Sequence, residues 1–198
     1  MENLNEKEEI YYGIGGFLVE MVKIFLLALV VIMPVRIFLF QPFFVQGASM
    51  EPNFEDGQYL IVNELGYKNT DLKIATVEPF KEIERGYVMI FRYPKNPKQF
   101  FIKRVIGLPG EKVELKNGKV YIYNDESLEG TELKEDYLPD DTYTQGSGKY
   151  EVGEDEYFVL GDNRSHSSDS RSWGLVSSKD IIGKVLLRAW PINKAGVF

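Results

Sequence analysis

The chain has 198 residues, 44% of them hydrophobic and none of them cysteine, and carries a formal charge of −7. That is enough apolar material for a core, which excludes global disorder. The missing cysteine excludes disulfides, a thiol nucleophile and thiolate metal sites. The acidic balance, with no basic block, speaks against nucleic-acid binding.

Residues 1–16 read as an N-terminal tail, polar and mostly acidic over its first twelve positions. Residues 17–36 are predominantly apolar, and their length matches the roughly 20 residues that a helix needs to cross a bilayer. Glu20 and Lys23 interrupt the run three residues apart, on one helical face, where they can pair or reach the interface. A cleaved secretory signal has a shorter apolar core behind a basic start, so the segment reads as a retained anchor. Charge does not set its orientation, because Lys7 and Lys23 lie on one side and Arg36 on the other.

From residue 37 to 198 the pattern changes to short alternating runs separated by turns. Residues 37–46 read as an extended strand that Pro42 restricts to an edge or a bulge. Further strands are expected over 58–63, 87–93 and 100–106, the last ended by Gly107-Leu108-Pro109-Gly110. Residues 112–115 and 119–123 flank Asn117-Gly118, the strongest short hairpin signal. Later strands fall at 156–160 and 182–189. Residues 124–150 are acidic with few apolar anchors and read as a surface insertion. The expected architecture is mainly β: an antiparallel β domain behind one N-terminal transmembrane helix.

Three clusters could carry chemistry. In Gly47-Ala48-Ser49-Met50-Glu51-Pro52 a serine follows two tiny residues at the end of an apolar strand. Small neighbours let a substrate backbone approach the hydroxyl, although a serine in a turn is usually only a turn residue. In Phe100–Ile106, alternation puts Lys103 on one strand face with Phe101 and Val105, and Arg104 on the other with Ile102 and Ile106. One face of a strand is normally core, so one of the two cations is expected to be buried. A buried lysine loses hydration and its pKa falls, which makes it a usable base; arginine stays protonated. The bland alternative puts Lys103 at a sheet edge with its ammonium in water. The third cluster, Gly161 to Arg171, is dense in hydroxyls, carboxylates and arginines. It suits a hydrogen-bonded scaffold, a Ser-His-Asp triad around His166, the only histidine, or an ordinary polar loop. Its spacing does not match an EF-hand calcium loop.

Taken together, the three clusters resemble type I signal peptidases in order and residue type. The nucleophile box reads F-x-x-x-x-V-x-G-x-S-M-x-P, ending at Pro52. Arg85 to Phe91 resembles the family's conserved strand, and Lys103 to Glu111 its lysine box. Gly161 to Arg171 resembles the last box, G-D-N-R-x-x-S-x-D-S-R. The likeness spans about residue 17 to Val185, and the lysine box and last box are its most specific parts. It implies Ser49 as nucleophile and Lys103 as general base, with Ser167 holding the lysine amine by a hydrogen bond. Asp169 and Arg171 would form a supporting ion pair, with Asp162 sharing in that scaffold. Two departures stand out. Gly47 occupies a position where some members have a serine that helps bind the oxyanion, and Tyr87 stands where many have aspartate. His166 falls at a variable position of the last box.

The resemblance implies a membrane serine endopeptidase that removes signal peptides from exported preproteins after small residues, at an Ala-x-Ala-like site. The expected place is the cell membrane, with the catalytic domain on the extracytoplasmic side. Phe43, Val45, Met50 and Ile102 are expected to contact substrate, and no metal or organic cofactor is needed. The partners would be preproteins and the lipid bilayer. Two other readings stay open at this point: a self-cleaving Ser/Lys peptidase, and a membrane-tethered binding module without catalysis.

Overall fold

In the computed structural model, residues 14–34, 40–68, 70–71 and 76–198 are described. The chain divides into two compact units, Met1–Phe38 and Leu39–Phe198. The tail over 1–13 and the first residues of the expected 37–46 strand lie outside the described residues.

The first unit contains helix α1, Ile14–Pro34. Its 18-residue stretch Gly15–Ile32 has a mean hydropathy of 2.3 and none of it is buried. Phe17, Ile24, Leu27 and Val30 are all more than half exposed. A helix of this length with so apolar a surface suits hydrocarbon rather than water. Lys23 Nζ lies 3.3 Å from Glu20 Oε1, so the two charges in the run can offset one another. The helix fits a membrane anchor.

The second unit is antiparallel β. Its strands are β1 (Phe40–Phe44), β2 (Tyr59–Asn63), β3 (Thr70–Asp71), β4 (Thr76–Val77), β5 (Val88–Tyr93), β6 (Asn96–Gly107) and β7 (Lys112–Lys116). They continue with β8 (Lys119–Asn124), β9 (Ser127–Glu132), β10 (Gly148–Glu151), β11 (Glu156–Leu160), β12 (Val176–Ser177), β13 (Ile181–Trp190) and β14 (Gly196–Val197). A large sheet runs β1-β2-β13-β5-β6-β11-β12, with β14 beside β13. Pro42 lies in β1, at the end of that order, where its missing N–H removes no interior ladder bond. A second sheet runs β10-β7-β8-β9. Its central hairpin turns on Asn117 and Gly118, both at positive φ (52° and 79°), as a two-residue type I′ loop requires.

Residues 124–150, expected to be a surface insertion, contribute the two outer strands of this second sheet, β9 and β10. Both stay largely exposed, which explains the polar sequence. The sheet shares a core with the large one: Val113, Leu115, Val120 and Ile122 form one cluster with Ile106 of β6 and Phe158 of β11. Leu133, Tyr137 and Tyr150 pack against that cluster.

Strand β6 is the hub. It pairs with β5 on one edge and β11 on the other. Ile102 packs on the cluster of Val45, Met50, Phe54, Leu60, Ile90 and Val185. Val105 belongs to the cluster of Met89, Phe91, Val159, Val176 and Ile181. Both faces of β6 are therefore covered. This changes one expectation: instead of one cation being buried, both are, Lys103 at 3% exposure and Arg104 at 9%.

Candidate active site

The loop leaving β1 presents Ser49. Gly47 turns it at φ +83°, a region in which glycine pays no Cβ penalty. A Cβ there would meet nothing within 4 Å, so conformation rather than space favours glycine at this position. The Gly47 N–H donates to Asp56 Oδ1 at 2.7 Å and is thus already engaged. After Ser49, Met50 and Phe54 are fully buried in the cluster beneath β1 and β2 and anchor the loop. Asn163 holds it from the other side: its N–H donates to Ser49 O at 3.1 Å and its Nδ2 to Ala48 O at 3.0 Å.

Strand β6 presents Lys103. Its Nζ donates to Ser49 Oγ at 2.7 Å and to Ile102 O at 2.8 Å. Burial pushes its pKa down from 10.5 to about 8, partly opposed by the Asp169 and Asp162 carboxylates. Those carboxylates have other partners. Asp162 accepts two hydrogen bonds from Arg104, from Nε at 2.9 Å and Nη2 at 2.6 Å. It also accepts one from Asn53 Nδ2 at 2.8 Å. Asp169 takes Arg171 Nε at 2.8 Å and Nη2 at 2.7 Å. It also caps the short helix α2 (Ser170–Trp173) and accepts from the Gly161 N–H at 3.0 Å. Among the described residues, no salt bridge involves Lys103, whereas both neighbouring carboxylates are neutralised by arginine.

A cleft of about 760 Å³ opens beside the pair. Phe43, Val45, Phe100 and Ile102 line it, with Leu60 and Ile90. His166 and Ser168 also line it; His166 Nδ1 lies 2.8 Å from Ser165 Oγ.

The structure brings Ser49 and Lys103 together, with Phe43, Val45 and Ile102 along the cleft. It also forms the Asp169–Arg171 pair. Three expectations are corrected. Met50 does not line the cleft; it is fully buried in the core, because the turn after Ser49 carries the next side chain inward. Asp162 pairs with Arg104 rather than joining Asp169 and Arg171. Ser167 makes no hydrogen bond to Lys103: its buried Oγ has no partner among the described residues, and the amine donates to Ile102 O. Ser167 Oγ instead abuts Gly161, where a Cβ would stand 2.1 Å from it and 2.4 Å from Ser49 O. Glycine at 161 therefore permits close approach of this loop to Ser49.

Arg104 and Asn163 carry more of the site than their sequence context revealed. Arg104 was legible only as the neighbour of Lys103, and Asn163 only as one polar residue in a dense loop. A serine hydroxyl 2.7 Å from a buried amine that titrates near pH 8 can give its proton to the neutral amine and attack an electrophile.

A family model described as signal peptidase, peptidase S26, matches residues 18–190. A protein named Signal peptidase IB, from Staphylococcus aureus, is 34% identical over 178 residues, covering 84% of this chain and 86% of that protein. Signal peptidase I P from Bacillus subtilis subsp. natto is 35% identical over 183 residues, covering 89% and 91%. A crystal structure of a signal peptidase I from Enterococcus faecalis matches at a TM-score of 0.45 and 33% identity, covering 54% of this chain and 98% of that one.

Proposed function

The chain belongs to the signal peptidase family, peptidase S26, and is a peptidase that cleaves signal peptides; on that premise we propose that Ser49 is its nucleophile and Lys103 its general base. The observation that carries this reading is the 2.7 Å contact between Ser49 Oγ and a lysine amine buried to 3% exposure. Burial lowers the lysine pKa by disfavouring its charged form, and the separation lies within reach for proton transfer.

The substrate is an exported preprotein held by its signal segment. Residues before its cleavage site add as a strand along the cleft beside β1 and β6. Phe43, Val45 and Ile102 wall shallow apolar subsites that admit small side chains, which suits an Ala-x-Ala-like sequence. Neutral Lys103 accepts the Ser49 proton as Oγ attacks the scissile carbonyl. The amine then returns that proton to the leaving nitrogen, the carbon–nitrogen bond breaks and an acyl-enzyme remains. Water, deprotonated by the same amine, attacks the ester; the proton passes back to Ser49 Oγ and the signal peptide leaves with a new C-terminal carboxyl group. The Ser49 N–H is a donor for the oxyanion. No metal or organic cofactor takes part. Helix α1 holds the enzyme in the lipid bilayer of the cell membrane, with the catalytic unit on the extracytoplasmic side where signal peptides are displayed.

Preprotein cleavage by purified variants tests the assignment. Ser49→Ala and Lys103→Arg should each lower kcat by about 10⁴-fold or more, since arginine keeps the charge but cannot act as a base. His166→Ala should stay within about threefold of the parent. Loss of activity in the His166 variant alone would replace the dyad with a triad.

A further inference from the structure

The segment between β9 and β10 runs back over the catalytic loops and meets the three arginines that surround the dyad. It is tied to the second sheet near both its ends. Leu133 N–H donates to Val120 O at 2.8 Å, and Thr144 N–H to Gly118 O at 2.9 Å. The Tyr143 ring covers the hairpin turn so closely that a Cβ on Gly118 would stand 2.2 Å from it.

Between these ties the segment makes a set of contacts with the site. The Tyr137 ring lies under the Arg104 guanidinium, 3.9 Å from its carbon. Tyr137 O accepts from Asn53 Nδ2 at 2.8 Å, and the same Nδ2 donates to Asp162. Arg164 is 3% exposed. It donates to both oxygens of Glu135 and, at 2.6 Å, to Thr144 Oγ1. Gln145 O accepts from Arg171 Nη1 at 3.1 Å. Arg104 follows the base in sequence, Arg164 follows the residue that clamps Ser49 O, and Arg171 neutralises Asp169.

We propose that residues 133–145 form a brace that positions the catalytic pair, with Tyr137 and Glu135 as its positioning residues, acting through Arg104 and Arg164. The proposal rests on the Ser49–Lys103 reading. Planar stacking and bidentate pairing hold a guanidinium in one place. With Arg104 held, Asp162 stays neutralised, and its carboxylate does less to keep the Lys103 amine protonated. With Arg164 held, the 161–165 turn keeps Asn163 on the nucleophile loop. The charged or titratable groups around the amine are Asp162 and Asp169, each with its arginine, and His166 in the cleft.

The test compares Tyr137→Leu, Tyr137→Phe and Glu135→Gln in the full-length enzyme, measuring kcat, KM and the pH dependence of preprotein cleavage. Tyr137→Leu removes the stacked ring. It should lower kcat about 10- to 100-fold, change KM less than about twofold, and move the midpoint of the acid limb upward by about half a unit to one unit. Tyr137→Phe keeps the ring and should recover most of kcat with the parent's midpoint. Glu135→Gln keeps volume while removing the counter-charge that Arg164 pairs with; it should lower kcat severalfold, and it decides the matter if Tyr137→Leu does not fold. A folded Tyr137→Leu enzyme with the parent's kcat and midpoint would overturn the brace, as would Glu135→Gln with unchanged kcat where the leucine variant fails to fold. Failure of the dyad itself looks different, because the parent enzyme would then have no acid limb with its midpoint near pH 8.

Discussion

Neighbouring residues on the two faces of β6 handle the same problem in opposite ways. Lys103 and Arg104 are both buried cations. Arg104 has a carboxylate of its own, bound through two nitrogens, and an aromatic ring against its plane. Lys103 has a hydroxyl and a carbonyl, and no salt bridge among the described residues. The difference follows from chemistry. A guanidinium cannot shed its proton, so its burial requires a counter-charge. An amine can shed its proton, so burial without a counter-charge shifts its pKa to about 8. At one position desolvation lowers the pKa of an amine; at the other pairing keeps a charge fixed beside it.

Substitutions can break that contrast from either face. The largest effect is expected at Lys103→Met, which keeps the apolar stem and removes the amine: cleavage should fall by about 10⁴-fold or more. The next is Asp162→Asn, which leaves Arg104 buried without its counter-charge. Denaturant unfolding should show a loss of about 3–5 kcal/mol, against almost none for substitution of an exposed pair such as Lys134–Asp136. The smallest is a gain in stability. Lys103 has a folded pKa of about 8 against an ordinary 10.5, so the unfolded chain binds more protons between those values. The penalty for burying the amine is full below pH 8, shrinks as pH rises through the window and is gone above 10.5. Lys103→Met should therefore be more stable than the parent at neutral pH by about 1–3 kcal/mol, and the advantage should disappear in strong alkali. Equal stability of the two proteins at neutral pH would mean that the amine is not penalised by burial.

Much of this was legible in the sequence where the signal is local. Asn117-Gly118 announced its hairpin because two successive positive φ values are needed there. Lys103 stood among apolar residues, and alternation put it beside Phe101 and Val105. Ser49 followed small residues after an apolar strand. What escaped was long-range. The burial of Arg104 depends on apolar clusters covering both faces of β6, which no single strand reveals. Met50 sits in the nucleophile motif, yet the turn points it into the core. Residues 124–150 read as a surface insertion because β9 and β10 bury little. The brace proposed for them rests on contacts with arginines that precede or follow them by some 20 to 40 residues, such as Arg104, Arg164 and Arg171.

The central claim is that a neutral Lys103 is the base for Ser49. The most direct test is the pH dependence of kcat/KM for preprotein cleavage, which reports the ionisation of the free enzyme. The account predicts a rate that climbs about tenfold per pH unit at low pH, reaches its midpoint near pH 8 and then levels off. A rate independent of pH from about 6 to 10, or a midpoint at the ordinary lysine value of 10.5, would contradict it.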